Sequence, residues 1–412
     1  MFNRIVRLYG DAYAGLPRGA WLLALSEFIN RCGFMVLVFL NIYLTRRLGF
    51  TLLQAGRILA AFGVGSLVGG YLGGSLCDKI GPMRILVGSL VLSGGLLIGT
   101  AYVTGYKALL VLLFLYGITA TALFPASDTA MTRFCFGEMR TKGFALRRLA
   151  ANLGITFGPV IGGYLILLDY RWLFWVDGLT TLASAVVVLV FIKTISPAAG
   201  AATPSADGSA PAPAPVPAPT RSPWRDGPYL AFLGFMLILA TVFAQLFSTF
   251  NLYLNNVYGL PESRIGPLWA VNTILIVLVE MVLLHALRRV REMPVIALGS
   301  VLIGAGFALL PFGRGMFFAA GTVVIWTMGE ILTMPFTATV ASARSGGSTG
   351  RYMGLLSLVF SLSMLIAPLA GNWLYETGGG TKLWLLAGAA SAVSAAGFWL
   401  LRKPLSVPKP AR

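Results

Sequence analysis

Residues 40–56 read LNIYLTRRLGFTLLQAG, and residues 250–266 read FNLYLNNVYGLPESRIG. Asn41, Tyr43, Leu44, Gly49 and Gly56 of the first stretch match Asn251, Tyr253, Leu254, Gly259 and Gly266 of the second, each pair 210 positions apart. Pro125 and Pro335 share that offset, and Pro159 and Gly162 match Pro368 and Gly371 at 209. Turn residues and helix ends that agree at one offset are hard to obtain by chance similarity of apolar helices. They predict a chain built twice from one plan.

Each copy is a series of apolar stretches. The chain of 412 residues is 57% hydrophobic and 11% charged, with a mean hydropathy of +0.82. A soluble domain carries about 25% charged residues. Stretches of about 20 apolar residues read as transmembrane helices. They are placed near 20–45, 52–76, 84–104, 107–131, 147–168, 172–193, 229–254, 264–286, 293–311, 315–340, 352–374 and 381–401. The expected fold is therefore an all-α integral membrane protein of twelve transmembrane helices. Six helices per copy bring both copies into the membrane from the same side, so they form two parallel six-helix bundles related by a pseudo-two-fold axis. The opening MFNRIVRLYGDAYAGLPRG is too polar to be the core of a cleavable signal.

Between the copies lies Ser196–Asp226, with PAAGAATPSADGSAPAPAPVPAPT inside it. Such an Ala/Pro segment cannot bury a core and reads as a semi-rigid linker. The expected division is a bundle over 1–195, a cytoplasmic linker over 196–227 and a bundle over 228–412. The formal net charge of +17 follows the topology. With both termini cytoplasmic, 22 basic residues fall on that side and 8 on the other, leaving Arg31 within the membrane. This is the positive-inside pattern, so no nucleic-acid partner is needed to explain the charge. Cys32, Cys77 and Cys135 fit no disulfide or metal spacing and read as packing residues.

The loop GGSLCDKIGPMRIL, residues 73–86, carries the strongest local motif. From Gly74 it fits G-x-L-x-D-K-x-G-x-x-R and resembles the signature loop of the major facilitator superfamily. The resemblance covers the whole chain through its six-plus-six topology and mid-chain linker. It implies a secondary transporter whose loop residues Gly74, Asp78, Lys79, Gly81 and Arg84 gate the cytoplasmic side. Family members have a basic residue just after the second glycine; here Pro82 and Met83 precede Arg84. GITFGPVIGGY, residues 154–164, is similar to the fifth-helix motif of antiporters in the superfamily, on Gly154, Gly158, Pro159, Gly162 and Gly163. The same small residues equally serve close helix packing. N-R-x-G within EFINRCGF (27–34) and G-E-x-x-x-x-P within WTMGEILTMP (326–335) resemble the efflux branch. The fourth span lacks the central arginine that many drug–proton antiporters have there, which sets their usual coupling scheme aside.

Charges within the bilayer cost roughly 2.5–3.5 kcal/mol each on insertion scales, so they face a partner or a cavity. Glu27, Arg31, Glu280 and Glu330 are the candidates for proton coupling. Each also has a structural reading: Glu27 and Arg31 are four apart and can simply pair, and Glu330 can brace the helix near Pro335. Asp177 reads as an anchor near the outer face. Asn30, Asn41, Gln245, Asn251, Tyr253, Asn272 and Trp326 are candidates for lining a substrate cavity. The paired Asn and Tyr of the repeat can equally cap helix ends.

The expectation is a proton-coupled exporter of small amphipathic solutes in the cytoplasmic (inner) membrane, acting as a monomer. Its partners would be a small-molecule substrate, protons and the lipid bilayer. No cofactor or metal is expected, the proton gradient being the energy source. The alternative is an importer of siderophores, peptides or lipid-like solutes. An enzyme needs a catalytic constellation that one histidine cannot supply, and no nucleotide-binding loop points to an ATP-driven pump.

Overall fold

The computed structural model describes residues 15–135, 138–192, 223–287, 290–344 and 349–405. The Ala/Pro linker expected over 196–227 lies outside these up to residue 222. The secondary structure of the described residues is helical, without a strand. The helices are α1 (Arg18–Cys32), α2 (Val36–Ile42), α3 (Leu52–Ile80), α4 (Pro82–Thr100), α5 (Tyr106–Phe134), α6 (Glu138–Leu165), α7 (Arg171–Ile192), α8 (Gly227–Phe243), α9 (Phe250–Asn256), α10 (Glu262–Leu287), α11 (Glu292–Ala308), α12 (Met316–Arg344) and α13 (Thr349–Leu400). Short π and 3-10 turns join α2 to the loop before α3 and α8 to α9.

Among the described residues, ten stretches are long and apolar enough to cross a membrane. Helix α6 is not among them, because its first three turns carry Glu138, Arg140, Lys142, Arg147 and Arg148. The last of the ten runs from Arg351 to Leu400 and turns at Gly379, whose φ of 73° and ψ of 167° break the helix. A left-handed φ of this kind suits glycine, which has no Cβ to clash. Large apolar side chains stand exposed all round the helices, Tyr71, Leu168, Phe317 and Leu400 among them. Such a surface suits hydrocarbon rather than water.

Two compact units form. The first draws on Met1–Tyr43, Ala61–Thr203 and Pro261–Val277, the second on Leu44–Ala60, Pro204–Leu260 and Leu278–Arg412. In the first, α1 packs on α6 and α7, and α4 packs on α5 and α7. Helices α3 and α5 also approach closely: a Cβ at Gly65, Gly69 or Gly73 would strike Phe114, Ile118 or Ala122. Small residues every fourth position drive helix pairing where no hydrophobic force separates protein from lipid. In the second unit, α11 packs on α12 and α13, and α13 on α8. Its centre is aromatic: Phe307 stacks on Trp384 at 5.4 Å and on Trp326 at 6.1 Å, and Phe250 meets all three edge-on.

The units do not follow the repeat, since each takes in a short piece of the other copy. Residues of the repeat meet in these pieces. In the second unit, a Cβ on Gly56 would lie 2.8 Å from the carbonyl oxygen of Pro368. In the first, a Cβ on Gly266 would strike the carbonyl of Pro159, and one on Gly163 the carbonyl of Glu262. The glycines matched at 210 and the prolines matched at 209 thus meet crosswise. Beside them, Asn372 Nδ2 donates to Leu52 O at 2.9 Å, and Tyr170 Oη to Glu262 Oε1 at 2.8 Å.

Candidate functional site

The first membrane stretch is not one helix. Helix α1 ends at Cys32, tight turns run from Phe34 N–H to Arg31 O (3.1 Å) and from Met35 N–H to Gly33 O (2.6 Å), and α2 begins at Val36. Gly33 lets the neighbouring helix come close. A Cβ there would lie 3.0 Å from Asp177 Cα and collide with the Thr180 hydroxyl. From α7, Asp177 Oδ2 accepts the Val36 N–H at 3.2 Å and, at 3.5 Å, that of Met35. A carboxylate therefore answers backbone donors that the break leaves without helical acceptors.

From the other side comes α6. A Cβ at Gly158 would sit 2.8 Å from Phe34 O and 3.2 Å from Arg31 O; at Gly154, 2.6 Å from Phe28 O and Arg31 Cβ; at Gly162, 2.7 Å from Met35 Cβ. Three of the four glycines of the antiporter-like motif, Gly154, Gly158 and Gly162, touch the broken span, while Gly163 meets Glu262; Pro159 lies within the same helix. Clamped between these glycines and Asp177, the break is held by tertiary contacts.

One turn before the break, Arg31 Nε donates to Glu27 Oε1 at 2.8 Å. The guanidinium also lies 5.1 Å from the ring centre of Phe124 and 5.8 Å from that of Phe34, within cation–π range. Glu27 is buried. Asn30 Nδ2 donates to Thr181 Oγ1 at 3.1 Å. Ser184 Oγ donates to Ser26 O at 2.8 Å, so its 2.6 Å contact with Ser26 Oγ leaves Ser26 as that donor, each hydroxyl having one hydrogen. Glu27, Asn30, Ser26, Ser127 and Ser184 line a small pocket walled by leucines, Leu23 among them. The arrangement can keep an ion pair, polar on one flank and aromatic on the other, where a lone charge would be costly.

The remaining predicted residues lie elsewhere. Glu280 (buried) and Glu330 (half-buried) belong to the second unit. The seventh stretch is broken between α8 and α9. There Gln245 Oε1 accepts from Ser248 Oγ (2.9 Å) and Thr249 Oγ1 (2.8 Å), and its Nε2 donates to Ala367 O at 2.9 Å. Asn251 Nδ2 donates to Leu246 O at 3.0 Å. These two amides bind the chain to itself. Tyr253 and Trp326 sit in the aromatic centre of the second unit, 1% and 2% exposed, and Asn41 and Asn272 are buried. The expected loop over 73–86 is mostly helical: α3 runs on to Ile80 and Pro82 opens α4, with Gly81 (φ 92°) between them, and Lys79 at the end of α3 and Arg84 in α4 are exposed. Gly74 faces Pro125 of α5, its Cβ position 4.0 Å from that ring. The side chain of Asp78 lies outside the described residues.

Two acidic positions emerge that the sequence reading had not placed in a site. Asp177 is one. The other is Asp226, at the start of α8, which accepts Arg344 Nε (2.8 Å), Arg344 Nη2 (3.1 Å), Tyr352 Oη (3.1 Å) and Tyr229 N–H (3.3 Å). Arg344 Nη1 goes on to Pro404 O at 3.1 Å. Burial pushes the Asp226 carboxyl up, but Arg344, the Tyr229 amide and Tyr352 together outweigh it and hold it below the usual carboxylate value. The sequence signal for Asp226 was its place just before Gly-Pro, an N-cap position ahead of a helix start. Asp177 gave no comparable local signal, because its partner lies in another helix.

A chain whose described residues form many lipid-suited helices around an internal ion pair has the build of a membrane transporter. The Major Facilitator Superfamily model matches residues 23–350, and the chain belongs to that superfamily. It is 27% identical to the uncharacterized MFS-type transporter YttB of Bacillus subtilis, over 88% of this chain and 89% of that one. It is 22% identical to a Na(+), Li(+), K(+)/H(+) antiporter of Planococcus maritimus, covering 83% and 86%. Over a shorter region, 26% of each chain, it is 36% identical to multidrug resistance protein MdtG of Yersinia enterocolitica. Its fold matches a crystal structure of the peptide transporter POT with a TM-score of 0.80 and 17% identity, over 96% and 97% of the two chains. The family is one of transporters, not enzymes.

Proposed function

We propose that the chain exports small amphipathic solutes across the cytoplasmic membrane in exchange for protons, by alternating access. In this reading it has twelve transmembrane helices in two parallel six-helix bundles, joined by the Ala/Pro linker. Both termini are cytoplasmic, it acts as a monomer, and the proton gradient takes the place of a cofactor. The observation that carries the reading is the buried Glu27–Arg31 pair beside a polar pocket, next to the break in the first span. A carboxylate that pairs with an internal arginine can trade that partner for a proton, and the two states can favour different access. The likeness to an antiporter and a multidrug resistance protein supports exchange and efflux. Glu280 and Glu330 are secondary candidates, and the loop Gly74–Arg84 is the proposed gate.

Reconstituted protein should expel amphipathic cations or dyes against a pH gradient. Glu27→Gln should retain downhill exchange but lose at least about 90% of gradient-driven flux, the scale of one lost charge-assisted hydrogen bond. Gradient-driven flux that persists in this variant removes Glu27 from the scheme. A wild type with no pH-dependent flux of any amphiphile overturns the proposal.

A further inference from the structure

Asp177 has no part in the reading above, yet it is the carboxylate in contact with the break. It is 5% exposed, comes from a different helix, and spends Oδ2 on two backbone N–H groups of Met35 and Val36. The approach is enforced: Gly33 has no room for a Cβ against Asp177 and Thr180, and behind the break the α6 glycines leave no slack. Helix α7 is itself seated tightly, since a Cβ on Gly178 would lie 2.9 Å from Gly94 O. Asp177 therefore cannot withdraw without moving α7, and the break cannot close without expelling Asp177.

The titratable groups within electrostatic reach of Asp177 are Arg31 of α1 and Tyr116 of α5. Arg31 binds Glu27 and also lies within electrostatic reach of Asp177. An ionised carboxylate accepts backbone N–H groups far better than a neutral acid, which has given one oxygen a proton and lost its charge.

We propose that Asp177 is a positioning residue for the transport cycle: its ionised carboxylate holds the first span broken at Gly33–Met35, and uptake of a proton there loosens the break. The shape of the first span then follows the proton load of a group distinct from Glu27. This rests on the proton-coupled reading for its use in transport, but the structural claim is testable without transport.

The test is hydrogen exchange of the segment 33–39 in detergent-solubilised full-length protein between pH 5 and 9, corrected for the intrinsic pH dependence of exchange. Wild type should lose protection in this segment roughly tenfold as the pH falls, the scale of one hydrogen bond to a charged acceptor. Asp177→Asn, nearly isosteric, should show the low protection at every pH. Glu27→Gln should keep the pH response, with its midpoint moved because Arg31 is freed toward Asp177. Protection in the wild type that does not vary with pH overturns the inference, as does an Asp177→Asn profile that copies the wild type. A pH response abolished by Glu27→Gln assigns the titration to Glu27 and overturns it too. Should the exchange behave as expected while no pH-gradient-driven flux exists, the proton-coupled reading fails and the role of Asp177 in the break stands.

Discussion

The first and seventh membrane stretches are broken at matching places, and they are mended differently. In the first, a carboxylate from α7 takes the Val36 N–H at the start of α2 and shares that of Met35, next to an internal guanidinium. In the second, Gln245 accepts two hydroxyls and donates to Ala367 O, and Asn251 donates to Leu246 O. The position 210 residues after Asp177 is Ala387, which cannot accept a hydrogen bond through its side chain. On the reading proposed for Asp177, one plan used twice carries one break that responds to protons and one that does not. The neutral repair suits a hinge that must hold one shape; the charged repair suits one that changes.

The comparison can be broken most severely at Gly158. A valine there meets the Phe34 and Arg31 carbonyls, fixed backbone that cannot swing away. The expected loss is about 3 kcal/mol, the upper range for overpacking, together with loss of transport. Thermal unfolding and size-exclusion profiles in detergent would read it. A well-folded, active Gly158→Val would mean that the glycines do not hold the break.

Gln245→Ala should be milder. It removes three neutral hydrogen bonds, for about 2 kcal/mol. Its informative readout is the pH profile of flux, which should keep the wild-type shape at reduced amplitude. A profile that moved would show that the second break also senses protons.

Asp226→Asn should cost least, about 1–2 kcal/mol, since Arg344 is partly exposed and solvent screens the pair. It sharpens the comparison as a carboxylate that should not switch. The folded-state value of Asp226 is lowered, so its stabilisation is fully present above the ordinary aspartate value near 4 and is lost as the pH falls through the lower folded value. Unfolding temperatures of wild type and variant should differ by a constant amount from pH 5 to 8 and converge only in strong acid. A difference that fades between pH 5 and 7 would mean that this cluster titrates in the working range.

How much of this was legible beforehand follows from range. The helices, the superfamily loop at Gly74–Arg84 and the Glu27–Arg31 pair were readable because their residues are local or repeat at fixed spacing. The repeat was readable too, and its glycines and prolines acquired a cause only when Gly266 met Pro159 and Gly56 met Pro368. The stripe Gly65–Gly69–Gly73 was available in the four-residue spacing and went unread. The polar residues of the seventh stretch were expected at a cavity as readily as at caps; Gln245 and Asn251 are occupied with backbone and hydroxyl partners across a break that composition does not reveal. Asp177 was seen as a buried charge near a membrane face, and its partner could not be guessed because 141 residues separate it from Val36.

The break in the first span also bears on biosynthesis. Helix α1 is 15 residues long and α2 is 7, which is about 22 Å and 10 Å at 1.5 Å per residue. Neither piece alone reaches across about 30 Å of hydrocarbon. When this segment first enters the bilayer, the lipid demands a continuous helix, because free backbone donors have nothing to bond there. The group that answers them, Asp177 on α7, and the α6 glycines that clamp the break have not yet been synthesised. The first span should therefore be inserted straight and bent only after the sixth arrives, so the hinge is the last part of its own helix to be made.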